Sequence, residues 1–273
     1  MTQTLPVRSA GAPPVVRRSS LALIVSDCRT LVRRSLTHTL RSPEQWIQTF
    51  SIPIATLLIF RYLLGGAIMT DNQTYINYVV AGLIAISVGF NLTSTVIGVT
   101  DDLRNGIVER FRSMPVLPWA VLVAHVVTAV LRNLTSALVL IIAGLAVGFR
   151  PNATPVEWLA ALGLLLLFVT ACSWVAVILG VWAKTVEGGN GLGMILVFVP
   201  YVSSALVPTN TMPAGLRAVV ENQPVSPVVD TIRGLLAGSP IGNAGWLAVL
   251  WWSMILLVSV PVAARMFRRR ATG

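Results

Sequence analysis

Six apolar stretches, each long enough to cross a lipid bilayer as a helix, divide the chain. They lie at about 47–66, 77–99, 119–147, 157–183, 190–207 and 246–264. A hydrocarbon core about 30 Å thick is crossed by about 20 helical residues, and a helix satisfies its own backbone hydrogen bonds in lipid. The pattern therefore predicts an all-α polytopic membrane protein, with six transmembrane helices in a domain that spans residues 47–264.

A narrower apolar stripe precedes the first predicted span. Between residues 20 and 42, apolar residues recur at spacings of three and four, and arginines and other polar residues fill the opposite face. This spacing predicts an amphipathic helix that lies on the membrane surface, in an interfacial segment at 20–46 that follows a flexible tail at 1–19. A role as a membrane anchor and an additional contact with a cytoplasmic partner both stay open.

The segment between the second and third spans, at 101–116, carries its own helical pattern. Four large apolar residues share one face and charged residues cover the rest; the apolar ones are Leu103, Ile107, Phe111 and Met114. Pro115 then ends the helix. A plain connecting loop has no need of such a stripe, so the segment predicts a docking surface, with packing on its own bundle as the alternative.

The loop before the sixth span is long, yet its pattern predicts ordered structure. Ser226 suits the N-cap of a helix and Gly238 suits its end, which predicts a short helix at Val228–Ala237, and Thr211 suggests another before it. Both would be too short to cross the membrane. We expect two re-entrant half-helices within 211–238 that fold back into the outer leaflet and close the extracellular end of a pathway.

The distribution of basic residues predicts the orientation. Of 20 lysines and arginines, 15 fall before the first span, between the second and third, between the fourth and fifth, or in the tail at 265–273. Four lie towards the opposite side, and Arg132 lies deep within a span. By the positive-inside rule, both termini are cytoplasmic. This topology accounts for the net charge of +10 without any nucleic-acid partner.

Composition and motifs argue against a soluble domain and against catalysis. Hydrophobic residues make up 55% of the chain and charged ones only 11%. One histidine lies in the predicted surface helix and the other within a span, so no zinc site and no other metal site is predicted. No ATP-binding glycine loop precedes the single lysine.

The glycine-rich run at 188–193 enters an apolar span, which indicates close helix packing or a hinge. No catalytic residue and no cofactor is therefore expected in this chain.

Polar residues inside the spans are few, and no carboxylate is expected deep in the membrane. Asn91, His125, Arg132 and Asn133 are the exceptions to the apolar pattern. His125 and Arg132 share one face of the third span because they are two helical turns apart. Two interpretations stay open: structural pairing with a neighbouring helix, or lining a translocation path for an anionic or polar substrate group.

Two stretches resemble a known family. GIVERFRSMPVLPWAVLVAH follows the second span and ENQPVSPVVDTIRGLLAG precedes the sixth. The first resembles the cytoplasmic G-x-x-E-R segment, followed by a proline, of the ABC-2 type exporter permeases; the second resembles their N-x-P, Asp, Arg and Gly pattern. With the six spans, the chain is similar to the daunorubicin-resistance (DrrB-like) permeases. His125 is a departure, since the family would be expected to favour arginine there.

The resemblance implies a transport subunit of the bacterial cytoplasmic membrane. A separate cytoplasmic ABC ATPase would bind ATP and Mg²⁺, and a second permease subunit, identical or not, would complete the exporter. The cargo would be an amphipathic or hydrophobic compound such as a drug, polyketide, lipid or glycolipid. A membrane-embedded enzyme and a non-transporting scaffold are the alternatives.

The resemblance also assigns residues to two roles. The expected ATPase-coupling residues are Gly106, Glu109, Arg110, Phe111, Arg112 and Pro115. The expected extracellular gate motif consists of Asn222, Pro224, Asp230, Arg233 and Gly238.

Overall fold

A computed structural model describes residues 43–65, 75–105 and 120–272, and every element in these ranges is helical. The helices are α1 (Pro43–Ile59, continued by a π-helical turn at Phe60–Leu64), α2 (Tyr75–Arg104), α3 (Ala120–Ala146), α4 (Pro155–Trp182), α5 (Val186–Tyr201), α6 (Ala214–Asn222), α7 (Val225–Ala237) and α8 (Ala244–Thr272), with a 3-10 turn at Thr209–Thr211 before α6. The tail at 1–19 and the amphipathic helix predicted at 20–42 lie outside the described residues.

Four of the helices are long and apolar enough to cross a membrane. They are α2, α3, α4 and the stretch Ala244–Arg270 of α8, and they correspond to the second, third, fourth and sixth predicted spans. The first and fifth predicted spans correspond to shorter helices, an apolar stretch at Thr49–Leu63 and the 16-residue α5. The all-helical membrane fold is thus confirmed in outline, and the number of six crossings stays a prediction.

Helix α2 lies at the centre of the bundle. In its most apolar stretch 78% of residues are buried, against 22% for α8, which leaves most of α8 facing outward. The neighbours of α2 are α1, α3, α4, α5 and α7, and α8 packs on α4 and α7 from the outside. Apolar residues that are exposed on the outer helices suit contact with lipid, whereas a helix enclosed by other helices can connect one end of the bundle to the other.

The most extensive interface, between α2 and α5, depends on glycine. A Cβ at Gly89 would lie 2.6 Å from the carbonyl oxygen of Leu196, and one at Gly193 would lie 2.7 Å from Thr93 Cγ2. Small residues at such crossings let two helix backbones approach closely in a membrane, where apolar burial alone drives little association. The close-packing interpretation of the glycine-rich run at 188–193 is therefore confirmed for Gly193.

Helix α4 has a complete N-terminal cap. The hydroxyl of Thr154 accepts from the backbone N–H of Glu157, the Glu157 carboxylate accepts from the backbone N–H of Thr154 at 2.6 Å, and Pro155 occupies the first turn. This reciprocal arrangement satisfies two N–H groups that a helix start would otherwise leave free. It fixes where the most hydrophobic span of the chain begins.

The two short helices before α8 differ in their surroundings. Helix α6 is exposed except for Val220, whereas ten of the 13 residues of α7 are buried against the bundle. Helix α7 begins at Val225 rather than at Val228, so the prediction of Ser226 as its N-cap is wrong, and Gly238 ends it in the left-handed region (φ 67°) as predicted. How deeply these helices enter a membrane stays a prediction.

The α2–α5 crossing generates a stability prediction. Gly89→Ala should lower the apparent midpoint of thermal unfolding in detergent by an amount equivalent to about 1–3 kcal/mol, because the added Cβ meets backbone atoms of α5 that cannot rotate away. Gly163→Ala on α4 is the matched control, since a Cβ there meets nothing within 4 Å. It should be neutral or stabilising by about 0.5–1 kcal/mol. Equal midpoints for the two variants would contradict the close crossing.

Candidate functional site

Helix α5 is followed by a non-helical turn that is buried in the protein. Ser203, Ser204 and Ala205 are non-helical and only 2%, 2% and 0% exposed. A Cβ at Gly82 of α2 would lie 1.9 Å from the carbonyl oxygen of Ala205, so this turn presses directly on the α2 backbone. Non-helical backbone at membrane depth is tolerated only where protein or water supplies its hydrogen bonds, so the partners of this turn decide whether it is stable.

Arg233 of α7 supplies much of that hydrogen bonding. Its Nη2 donates to the carbonyl oxygen of Ser204 at 2.8 Å, and its Nε donates to the carbonyl oxygen of Tyr78 on α2 at 3.0 Å. Its guanidinium carbon also lies 3.5 Å from the centre of the Tyr78 ring, a cation–π contact. One side chain therefore joins α7, α2 and the turn after α5.

The carboxylate of Asp230 completes this contact. Its Oδ1 accepts from Arg233 Nη1 at 2.6 Å and from the hydroxyl of Ser204 at 2.7 Å. The Tyr78 hydroxyl donates to the carbonyl oxygen of Ser204 at 2.8 Å. Burial lowers the pKa of Arg233, and Tyr78 and Asp230 oppose that shift; guanidinium groups remain charged in proteins, so the pair is ionic.

Ser226 ties the same turn to α6. Its hydroxyl accepts from the backbone N–H of Ser204 at 3.2 Å and donates to the carbonyl oxygen of Val220 at 2.6 Å. A residue at the first turn of α7 thus bridges two other elements instead of capping its own helix. We call Tyr78, Ser204, Ser226, Asp230 and Arg233 the arginine lock.

The other residues of the predicted gate motif surround the lock without joining it. Asn222 Nδ2 donates within α6, to the carbonyl oxygen of Ala218 at 2.7 Å. The carbonyl oxygen of Pro224 accepts from Trp252 Nε1 of α8 at 2.9 Å. At Gly238 a Cβ would lie 3.1 Å from the carbonyl oxygen of Asn152. These residues therefore position α6 and α7, whereas Asp230 and Arg233 make the ionic contact.

A second polar contact lies at the opposite end of α2. His125 Nε2 of α3 lies 2.8 Å from Asp102 Oδ2, in the last turn of α2. Beside it Phe267 of α8 is buried (3% exposed), and Arg270 Nη1 donates to the carbonyl oxygens of Val181 and, at 2.8 Å, Ala183 at the end of α4. We call Asp102, His125, Phe267 and Arg270 the histidine junction. It holds four helices together where the predicted coupling segment begins.

Between the two ends, the polar residues of the spans are partly paired. Asn91 Nδ2 donates to Asn133 Oδ1 at 3.2 Å, across the α2–α3 interface. His125 contacts Asp102, so Asn91, His125 and Asn133 each have a partner within the bundle. Among the four predicted path residues Arg132 is the exception. Whether any of them lines a translocation path stays a prediction.

The coupling residues predicted at 106–115 lie outside the described residues. The structure shows the start of that segment, where α2 continues as far as Arg104 and Asn105 forms a turn. Tyr78, Ser204 and Asp102 were not predicted as site residues, because their partners are far away in sequence. For Tyr78 and Asp102 the only signal was a tyrosine and an acid near the ends of an apolar span, and for Ser204 there was none. Within the described ranges no cluster of three or more metal-binding side chains occurs.

Comparison with known proteins gives a consistent match. Residues 26–237 match the family described as ABC-2 type transporter. The chain is 28% identical over 249 residues to the daunorubicin resistance ABC transporter permease protein DrrB1 of Streptomyces coeruleorubidus, covering 88% of each chain. It is 23% identical over 270 residues to the probable doxorubicin resistance ABC transporter permease protein DrrC of Mycobacterium tuberculosis, covering 98% of this chain and 95% of that one.

The lock generates a prediction for Arg233. Arg233→Lys should destabilise the protein by about 2 kcal/mol, since an ammonium group cannot make the forked contacts to two carbonyls and a carboxylate at once. Arg217→Lys is the control, because Arg217 makes only an exposed pair with Glu221 within α6. Thermal unfolding in detergent, followed by tryptophan fluorescence, should show a midpoint roughly 5 °C lower for the first variant. A midpoint unchanged from the parent would show that the lock contributes nothing to stability.

Proposed function

Because the chain belongs to the ABC-2 type transporter family, it is a transmembrane permease subunit of an ABC exporter in which a separate subunit hydrolyses ATP, and we propose how its two polar contacts serve export. In the proposed orientation both termini are cytoplasmic. The histidine junction then faces the ATPase and the arginine lock closes the extracellular end. A second permease subunit, identical or not, completes the pathway.

The observation that carries this proposal is the position of α2. One helix holds Tyr78 of the arginine lock near its first residue and Asp102 of the histidine junction near its last, and it leads directly into the coupling segment. A straight helix of this length extends for about 45 Å. Because α2 is enclosed by neighbours along most of its length, a push on its cytoplasmic end is transmitted to the lock as a movement of a rigid element.

The coupling segment is the proposed point of attachment for the ATPase. Gly106, Glu109, Arg110, Phe111, Arg112 and Pro115 follow α2 immediately in sequence. Charged residues there would form ion pairs with the ATPase, and the apolar stripe that includes Phe111 would enter a groove on it. Closure of the ATPase on ATP and Mg²⁺ would then displace the last turn of α2.

The arginine lock is the proposed extracellular gate. Its contacts join three separate elements through a few side chains, so they are lost together when the elements separate. When the lock is closed, α7 fills the end of the bundle. When the lock opens, α6 and α7 would move away from the turn after α5. Asn222, Pro224 and Gly238 set the ends of these two helices and thereby the direction of that movement.

The distribution of acidic residues supports ATP as the energy source. In the described helices that are long enough to span, acidic residues occur only near helix ends, at Asp101, Asp102 and Glu157. Carriers driven by protons or sodium ions usually keep a carboxylate inside the membrane as the coupling group. Energy supplied from a separate ATPase fits a permease without one.

The proposed cargo is an amphipathic or hydrophobic compound. The relatives are named for resistance to daunorubicin and doxorubicin, which are drugs of that kind, and the inner faces of the described helices are mainly apolar. Helix α5 also exposes Met194, Ile195 and Phe198 (41%, 55% and 61%). A second permease subunit or lipid would cover that face.

The coupling proposal is tested by reversing one charge. Glu109→Arg should abolish co-purification of the permease with its ATPase, and ATP-driven efflux of cargo from proteoliposomes should fall at least roughly tenfold, because the charge pairs at the contact become repulsive. Glu221→Arg on exposed α6, remote in the fold from the end of α2 at Arg104, is the matched control and should retain both. If Glu109→Arg retained ATPase binding and export, the segment would not be the attachment point.

A further inference from the structure

Arg132 stands apart from the other arginines of the described helices. Its Nε is fully enclosed by protein and has no hydrogen-bond partner among the described residues. By contrast, backbone carbonyls accept from Arg61, Arg150, Arg233 and Arg270. An enclosed guanidinium nitrogen without a hydrogen-bond partner costs free energy, so its retention points to a group that the protein alone does not supply.

The depth of Arg132 follows from two contacts between α1 and α3. Arg61 Nε donates to the carbonyl oxygen of Val147 at 3.2 Å, and Ser136 Oγ donates to that of Thr49 at 3.2 Å, so the two helices run side by side in the same direction. At a rise of about 1.5 Å per residue, Arg132 lies about 22 Å from Val147 and the start of α1 lies about 27 Å from Arg61. Arg132 is therefore within about 5 Å of the level at which α1 begins.

The side chain is directed towards that level. Helical Cα–Cβ bonds tilt towards the N-terminus of the helix, which for α3 is the cytoplasmic end in the orientation proposed above. The guanidinium of Arg132 then points towards the cytoplasmic leaflet. It is enclosed by helices on its Nε side, yet the residue as a whole is only partly buried, which leaves a way in for a ligand.

A second polar atom without a partner lies nearby. Thr95 Oγ1 of α2 is buried and unpaired within the described ranges, whereas Thr100 and Thr128 each donate to the carbonyl oxygen four residues earlier, at 2.8 Å. The Asn91–Asn133 hydrogen bond fixes the relative height of the two helices. Thr95 and Arg132 each lie within about one helical turn of that bond along their own helices, so the two unpaired atoms belong to residues at a similar height on neighbouring helices.

We propose that Arg132 is the anion-binding residue of a site for the phosphate or carboxylate group of an amphiphile in the cytoplasmic leaflet. Both groups offer two oxygens to a guanidinium, and an amphiphile of the cytoplasmic leaflet carries such a group on the side towards which Arg132 points. Thr95 is placed to supply a further hydrogen bond. The inference rests on the proposed function for its orientation, and a resident anionic phospholipid and a transported acidic amphiphile share this chemistry.

Binding by the purified full-length protein in detergent tests the site. The probes are fluorescently labelled phosphatidylglycerol and dodecanoate, compared with phosphatidylcholine and dodecanol that carry the same label. The wild-type protein should bind at least one anionic probe roughly tenfold more tightly than its uncharged or zwitterionic counterpart. Binding of phosphatidylglycerol alone identifies a lipid site, and binding of dodecanoate identifies a site open to free acidic amphiphiles. No preference in the wild-type protein would overturn the proposal.

Variants assign the preference to Arg132. Arg132→Gln should remove it, and Arg132→Lys should retain only part of it, because an ammonium group keeps the charge but not the two-pronged contact. Arg217→Gln on exposed α6 should leave it unchanged. A preference that survives in Arg132→Gln would also overturn the proposal. Because this assay needs neither the ATPase nor transport, it separates the two ideas: intact anion binding in a protein that fails to export counts against the function alone. If Arg132→Gln does not fold, a lack of preference in the wild-type protein still overturns the proposal, and the partial loss in Arg132→Lys assigns the preference to Arg132.

Discussion

The hydrogen bonding of the turn after α5 is the constraint on which the structure depends. A helix that ended inside a bilayer without partners would leave several N–H and C=O groups unsatisfied, each at a cost of several kcal/mol. Here Arg233, Tyr78 and Ser226 satisfy the backbone of Ser204, and Asp230 neutralises the arginine. The turn can exist only while α2 and α7 are both in contact with it, so one contact determines the packing of three elements.

The arginine lock suits the gate of a transporter whose ATPase binds at the opposite end of the bundle. The lock adds directional contacts, which are lost within a small displacement, to the apolar packing of α7 against the bundle. In the proposed mechanism, α2 connects the lock to the coupling segment as one rigid element. The histidine junction, through Asp102 and His125, ties the start of that segment to α3. In the proposed mechanism this arrangement is the mechanical link between the ATPase and the lock.

Much of the architecture could be predicted from the sequence because hydrophobic length alone specifies a helix in lipid. Both ends of the second, third and fourth spans, and the start of the sixth, were predicted to within about five residues. The end of the sixth was not, because α8 continues through the residues predicted as a tail at 265–273. Resemblance to a family pointed to Asp230 and Arg233, but not to what they bind. Their partner Ser204 carries no signal in the sequence, since its role arises from where α5 ends. The sequence cannot distinguish a serine that caps its own helix from one that bridges two other elements, as Ser226 does, because the same hydroxyl group serves both roles.

Hydrogen exchange of the backbone amides at residues 202–206, with the partner ATPase attached and trapped with ATP and vanadate, tests the central claim most directly. If α2 connects coupling segment and lock, exchange in this turn must increase together with a change at residues 101–105, since opening exposes amides that the lock protects. A change at 101–105 with the turn still fully protected would show that the ATPase does not act on the lock, and the mechanism would be wrong.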